Sequence, residues 1–313
     1  MHNRPRQIAI IGAGISGSYL ANRLNSFNHV CVFDKARGPG GRLSSRKLLS
    51  QSYTPLGCLS DIDLSYLPPN TKKPKDIYQW SAQLPQKALI PCNHALAFPP
   101  QTVCQRFLES IDTTYQCPVS RIEKNTNRWT LYTSDRLLVE VDWVVTALPA
   151  PQALTLLPEN CSYLSDLQQV LFQPTISVVL GFSQAIPHHY WTNLSTQTTF
   201  FSNIYHYPSH KQDHNFYYTF HMTTAWSEKH FSATDSVILD NIKHLNQDLG
   251  HCESPFYHHI HRWRYAYCSN PSRASLLVDT HQNIASVGDW CIGSKANDAL
   301  ESAHLMTHFF QSI

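Results

Sequence analysis

The run Gly12-Ala13-Gly14-Ile15-Ser16-Gly17 constrains this chain more than any other feature. It follows an apolar stretch, Gln7–Ile11, that reads as a short buried strand, and it opens a helical pattern with Leu20, Ala21 and Leu24 on one face. A second buried strand, Val30–Phe33, ends in Asp34, about 20 residues after the first glycine, where a Rossmann unit keeps its ribose-binding acid. The glycines have separate physical jobs. Gly12 permits the tight turn, Gly14 lets the backbone approach a pyrophosphate, and Gly17 lets the helix lie close on the strand. The helix N-terminus then offers free N–H groups to phosphate oxygens. Asp34 accepts from both ribose hydroxyls, and its charge argues against a 2′-phosphate at this site. A glycine turn packed without any ligand is the competing reading.

Beyond this βαβ opening, residues 35–46 read as a Gly/Arg-rich loop and 52–75 as a Pro-, Ser- and Asn-rich loop. Gln101–Ser110 fits a helix with Val103, Cys104, Phe107 and Leu108 inward. Val119–Glu123, Arg128–Thr133 and Leu137–Val141 are spaced like a β-meander, and Asp142–Ala147 is a further buried strand stopped by Pro149 and Pro151. The middle of the chain carries strand-like runs at Ile176–Phe182, Asn215–Met222 and Tyr257–Trp263. A helix from Ser236 to Leu249 has Ile238, Ile242, Leu245 and Leu249 in a stripe and Gly250 as its stop. The end returns to a strand, Ile284–Val287, then Gly288-Asp289 and a helix from Ala296 to Phe310.

A length of 313 residues suits two domains. The fold class expected is α/β. A Rossmann-like domain would come from 1–60, 95–150 and 270–313, and a β-rich remainder from 61–94 and 151–269.

FAD is preferred over a nicotinamide cofactor for three reasons. Lys35 follows Asp34, and the Gly40-Gly41 pair then places Arg42 to reach back to the pyrophosphate with a fork of donors. Gly288-Asp289 follows a strand and precedes a helix, so its carboxylate can bind ribityl or phosphate-adjacent hydroxyls. Backbone N–H groups at Ala296 and Asn297 can face the flavin edge where negative charge collects on reduction. Asp34 and Arg42 are expected at surface-facing loop positions, so the fold should tolerate their replacement. The flavin is expected to be non-covalent, Cys291 being the one residue near the Gly-Asp turn able to contradict that.

Composition narrows the function classes. The net charge is only +2 and charged residues are 15%, so a basic stripe for nucleic acid is not expected. No stretch approaches the length of a membrane helix, and the N-terminal apolar run is too short for a signal peptide. Nine Cys without C-x-x-C spacing point to reduced thiols and a cytoplasmic protein. The histidines at 188–189, 206, 210, 214 and 258–261 show no metal-ligand spacing, and no metal is expected. Ser16 lacks the spacing of a nucleophile elbow. Trp191, Phe200, Phe201, Tyr217, Tyr218, Trp263, Tyr265 and Trp290 are candidates to line a flat cavity, with Trp263 and Trp290 the foremost pocket residues.

Gly12–Gly17, Asp34-Lys35 and Gly40-Gly41-Arg42 resemble the FAD fingerprints of the flavin amine-oxidase superfamily. The stretch Asp142–Ala153, then Arg262-Trp263-Arg264-Tyr265-Ala266, and Gly288-Asp289-Trp290 with Gly293 resemble its renalase-like branch in particular. That branch usually carries Asp-His-Gly-Ala-Gln-Tyr-Phe near the flavin; here Tyr53–Asp61 keeps only Gly57. The resemblance implies that the Rossmann-like part is a discontinuous FAD-binding domain, with the β-rich part as a substrate domain over the flavin. It also implies non-covalent FAD and hydride transfer from dihydronicotinamide dinucleotides to flavin N5. Molecular oxygen would be the acceptor and hydrogen peroxide the product. The alternatives are an amine oxidase on the same scaffold and a degenerate FAD-binding protein without turnover.

Overall fold

The computed structural model describes residues 4–48, 53–57, 90–91, 101–134, 136–186, 200–207, 215–248 and 254–313. Its organising element is a six-stranded sheet in the order Leu277–Asp279, Ile284–Ser286, Trp143–Thr146, Gln7–Ile11, His29–Phe33 and Asp112–Thr114. All neighbours are parallel except the outermost Leu277–Asp279 strand, which returns as a hairpin. The parallel strands read as apolar runs because both faces are covered. On one face Ile8, Ile10, Val32 and Val145 pack under the helices Ile15–Leu24, Thr102–Leu108 and Ala296–Ser312. On the other, Ala9, Ile11, Phe33 and Val144 meet Trp129 and Leu131 of the three-stranded meander Arg121–Asn125, Arg128–Thr133 and Arg136–Val141.

The chain leaves the Gln7–Ile11 strand toward His29–Phe33 on one side and finds Trp143–Thr146 on the other. Strand order therefore reverses there, and an open α/β sheet places its ligand crevice outside the carboxyl ends of such strands. Gly12 and Ala147 begin the two loops that leave those ends.

A second sheet runs Tyr257–Asn270, Leu171–Phe182, Phe216–Met222, Phe201–Tyr207 and Ile90–Pro91. Its alternation sorts two faces. Ile176, Val178, Leu180, Phe182, Tyr218 and Phe220 pack with Ile238 and Ile242 of the helix Asp235–Asp248 and with Trp226 of the helix Thr224–His230. Val179 and Tyr217 on the other face pack with Leu48 and Leu56, and Trp263 lies against them.

The structure corrects several local expectations. Tyr53–Pro55, read as loop, pairs with Ser45–Lys47 as a hairpin. Asp112–Thr114 and Phe201–Tyr207 are strands that sequence pattern did not mark. The strand expected from Ile176 begins at Leu171, and the one expected to end at Trp263 runs on to Asn270. Pro174 explains the misjudged limits. It has no N–H for the facing strand, and the ladder is irregular there. Tyr267 pairs with Gln173 and Trp263 with Thr175, leaving Arg264, Tyr265 and Ala266 opposite the proline. Leu249 and Gly250 lie outside the described residues.

Candidate functional site

The glycine loop is built as its sequence demands. Gly12 has φ +114°, and a Cβ there would meet Ala147 O at 2.5 Å. A Cβ on Gly17 would meet Gly12 O at 2.0 Å, so this glycine sets how closely the helix Ile15–Leu24 rides on the strand. Gly14 differs from both: a Cβ there meets nothing within 4 Å. It is the N-cap of that helix, no side chain caps it, and no acidic residue stands in the first turn. The first-turn N–H groups therefore open onto free space with the helix dipole behind them. Gly40 lies beside this loop, giving its N–H to Ala13 O at 2.9 Å and bridging to Gly14.

Asp34 stands at the end of its strand with both carboxylate oxygens in use. Oδ2 accepts from Ala13 N at 2.6 Å and Oδ1 from Ala36 N at 2.7 Å. Each oxygen has a second lone pair, so the carboxylate can hold the loop and still accept from ribose hydroxyls.

Arg42 and Asp289 form a bidentate ion pair, with Nη1 donating to Oδ2 at 2.9 Å and Nη2 donating to Oδ1. The same Nη1 donates to Ala266 O at 3.0 Å, in the irregular stretch opposite Pro174. Asp289 is fully buried and Arg42 is 14% exposed. The expectation that Arg42 is a surface-facing loop residue is thus corrected: its guanidinium neutralises a buried carboxylate.

These parts bound a cavity of about 820 Å³, within the usual range for a cofactor site. Gly12, Gly14, Ile15, Ser16, Asp34, Lys35, Gly41, Arg42, Gly288 and Asp289 line it, as does Trp263. Ala13 and Gly17 are buried just behind the wall. Ala296 and Asn297 are not on the wall, although Ala299 of the same turn is. Their turn is closed by Asp298, whose Oδ2 accepts from Ser294 N at 2.9 Å and Lys295 N at 2.8 Å. Trp290 touches the cavity but is fully buried, its indole N–H fixed on Leu148 O at 3.0 Å. It backs the wall and presents no face for stacking. Of the other aromatic candidates, Tyr265 lines the cavity, Tyr217 and Tyr218 are core residues, and Trp191 lies outside the described residues.

Sequence reading missed three contributions. Leu56 O accepts the Trp263 indole N–H at 3.1 Å, with Ser177 Oγ a second acceptor at 3.0 Å. A Cβ on Gly57 would lie 1.9 Å from Arg42 O, so the segment after the Tyr53–Pro55 strand must pack flat on the arginine's backbone. Leu148, Pro149 and Gln152 complete the wall from the loop after Trp143–Thr146. The Pro-Ala-Pro-Gln run carried their signal.

The site fits an anionic dinucleotide: uncapped helix N–H groups over open space, a carboxylate for ribose, and a cavity of cofactor size. Among the described residues no group of three or more His, Cys, Asp or Glu could hold a metal ion. Cys291 is fully buried and off the cavity wall, and burial pushes its thiol pKa up to about 12.

Residues 10–72 match the NAD(P)-binding Rossmann-like domain, and residues 77–305 match the flavin containing amine oxidoreductase family. A protein provisionally assigned as a protoporphyrinogen oxidase from Exiguobacterium sp. 255-15 superposes with a TM-score of 0.69 at 13% identity, covering 98% of this chain and 99% of its own. Cyclohexylamine oxidase from Brevibacterium oxydans IH-35A gives 0.62 at 13%, over 98% and 100%. A double mutant of putrescine oxidase made to redesign cofactor binding gives 0.66 at 13%, over 99% of each chain. At such identities the likeness speaks for the fold. The family match covers most of the sequence: this chain belongs to the flavin-containing amine oxidoreductases and is an FAD-dependent oxidoreductase.

Proposed function

We propose that the protein is a renalase-like oxidase of dihydronicotinamide dinucleotides, using non-covalent FAD and releasing hydrogen peroxide. The cap-side wall of the cavity carries this reading. Among the described lining residues the cap side brings Trp263, Tyr265 and His261. Arg262 and Arg264 turn their guanidinium groups away, Arg262 to Phe231 O, Ala233 O and Asp235 and Arg264 over the Phe231 ring. The carboxylates are Asp34 and Asp289, both on the six-stranded-sheet side, and Asp289 is neutralised by Arg42. A flat aromatic cap side with no carboxylate among its described lining residues gives an ammonium group no counter-charge and suits a neutral planar ring.

Bound FAD supplies the two-electron acceptor and the route to oxygen. The chain's part is to hold and orient. Backbone N–H groups of Gly14, Ile15 and Ser16 face the pyrophosphate, and Asp34 takes the ribose. Arg42 and Asp289 fix the loops from either end of the chain on the same wall. Trp263 and Tyr265 give the cap side flat apolar surface against which a planar ring packs. Removing a hydride from a neutral dihydropyridine requires alignment more than a proton-transferring side chain. We propose a division into an FAD domain (1–60, 95–150, 270–313) and a cap (61–94, 151–269). We also propose a cytoplasmic location, since the six described cysteines are free thiols, the state a reducing compartment maintains.

A second reading, amine oxidation, is favoured by the family and by the cyclohexylamine and putrescine oxidases among the structural relatives. Anaerobic mixing separates the two. Under the proposal, 2- or 6-dihydronicotinamide dinucleotides bleach the flavin absorbance far faster than ordinary 1,4-NAD(P)H or simple amines. Equal or faster bleaching by a monoamine would install the second reading, and no bleaching by any of them would mark a flavoprotein without turnover.

A further inference from the structure

His261 stands out on the cap side of the cavity once its neighbours are accounted for. It and Trp263 are two residues apart on the strand Tyr257–Asn270, hence on one face. Both line the cavity, with ring centroids 4.1 Å apart and planes at 53°. The adjacent polar groups are committed elsewhere. Trp263 gives its N–H to Leu56 O and Ser177 Oγ. Arg262 gives its guanidinium to Phe231 O, Ala233 O and Asp235 on the far side of the sheet. The half-buried His261 ring makes no hydrogen bond to any described residue. Its partial burial lowers its pKa, which keeps the imidazole neutral, with one N–H to give and one nitrogen to accept.

We propose that His261 is a positioning residue that donates a hydrogen bond to the carboxamide oxygen of the substrate ring, so deciding which way round the ring lies in the cavity. This rests on the dihydronicotinamide reading above. A ring packed on flat aromatic surface can turn over or rotate in its plane at little cost. One directional bond to its only polar substituent removes that freedom. The tilted contact with Trp263, whose own N–H is tied twice, keeps the imidazole from following the ligand. A neutral donor also serves a neutral carbonyl without pulling a water shell into the cavity, as a charged one would.

The test crosses a variant with a ligand change and reads binding, not turnover. Isothermal titration of the FAD-loaded protein is done with an oxidised nicotinamide dinucleotide and with an analogue bearing an unsubstituted pyridine. Wild type should prefer the carboxamide by about 3–10-fold, the worth of one neutral hydrogen bond. His261→Phe keeps the ring packed on Trp263 but removes the donor, and should bring that ratio to about one. His261→Gln, which retains a donor, should restore most of it. A ratio unchanged in His261→Phe overturns the assignment of His261 while leaving the substrate class standing. If His261→Phe does not retain flavin, the same ratio is read on His261→Leu. A wild type that binds neither ligand, and whose flavin no dihydronicotinamide bleaches, overturns the substrate class and this inference together.

Discussion

Arg42 and Asp289 stand 247 residues apart in the chain, yet they meet as a two-pronged ion pair in the cavity wall, with the guanidinium also held by Ala266 O. One contact thus ties the loop after the second Rossmann strand to the turn before the last helix and to the cap sheet. Removing one member of a buried pair leaves the other charge without an answer, at about 3–5 kcal/mol. Arg42→Ala should lower the unfolding free energy of the flavin-free protein by roughly that amount. Arg42→Met with Asp289→Leu should recover much of the loss, because no buried charge is then stranded. Urea titration of wild type, Arg42→Ala and the double variant checks this; Arg42→Ala as stable as wild type would mean that the pair is not formed in solution.

The glycine loop separates folding from binding. Gly17→Ala forces a Cβ onto Gly12 O, and the helix must lift off the strand. A loss of at least about 2 kcal/mol is expected, in line with overpacked cores. Gly14→Ala meets nothing within 4 Å at φ −72°, so the fold should keep its stability or gain up to about 1 kcal/mol. The new methyl group intrudes where a pyrophosphate approaches, and flavin should dissociate on dilution at least about tenfold more readily, or about 1.4 kcal/mol. Paired melting curves and flavin-retention assays read the two effects. Gly14→Ala protein with full, dilution-resistant flavin would move the pyrophosphate elsewhere.

These two sites show what was legible in the chain and what was not. The βαβ opening is local: its strand, glycine turn, helix stripe and acid lie within one short window, and each carries its own period or steric requirement. The meander and the C-terminal helix were legible for the same reason. Arg42 and Asp289 could be suspected one at a time, but nothing in a pattern joins positions so distant, and the pairing turned an expected surface arginine into a buried partner. Leu56 and Gly57 gave no periodic signal, because their work is done by a backbone carbonyl and by a missing Cβ. Pro174 carried a legible warning: a proline inside an apolar, β-branched run marks a bulge or an edge, and reading it so would have extended the strand to Leu171.

The flavin should leave the chain on acid precipitation. Cys291, the residue best placed in sequence for a covalent link, is fully buried, off the cavity wall, and its thiol is pushed up to about 12. Cys104 is likewise fully buried, with a pKa pushed up to about 12. A thiol that is neither exposed nor ionised does not attack. Both should resist iodoacetamide at pH 8 in the native protein and react after denaturation, as peptide mass mapping would show. Flavin that stays with the precipitated chain, or rapid native labelling of Cys291, would overturn this.

Acid should unfold the protein in a window set in part by His221. This imidazole is fully buried on the face of the cap sheet shared with Ser177 and Trp263, and burial pushes its pKa down from 6.5 to about 4. The unfolded chain takes up a proton near pH 6.5, while the folded chain refuses it until about pH 4. Protonation therefore favours the unfolded state. The stabilisation linked to His221 is complete above about pH 6.5, falls as the pH drops, and is gone below about pH 4, a difference of about 3 kcal/mol at 1.36 kcal/mol for each unit. The half-exposed His259, also pushed down to about 4, acts in the same direction with a contribution reduced by solvent. His221→Asn removes the titrating group and should flatten the curve of unfolding free energy between pH 6.5 and 4, whatever it does to the absolute stability at pH 7.5. Urea titrations at several pH values across that window give the two slopes, and parallel curves for wild type and variant would show that His221 titrates normally in the folded protein.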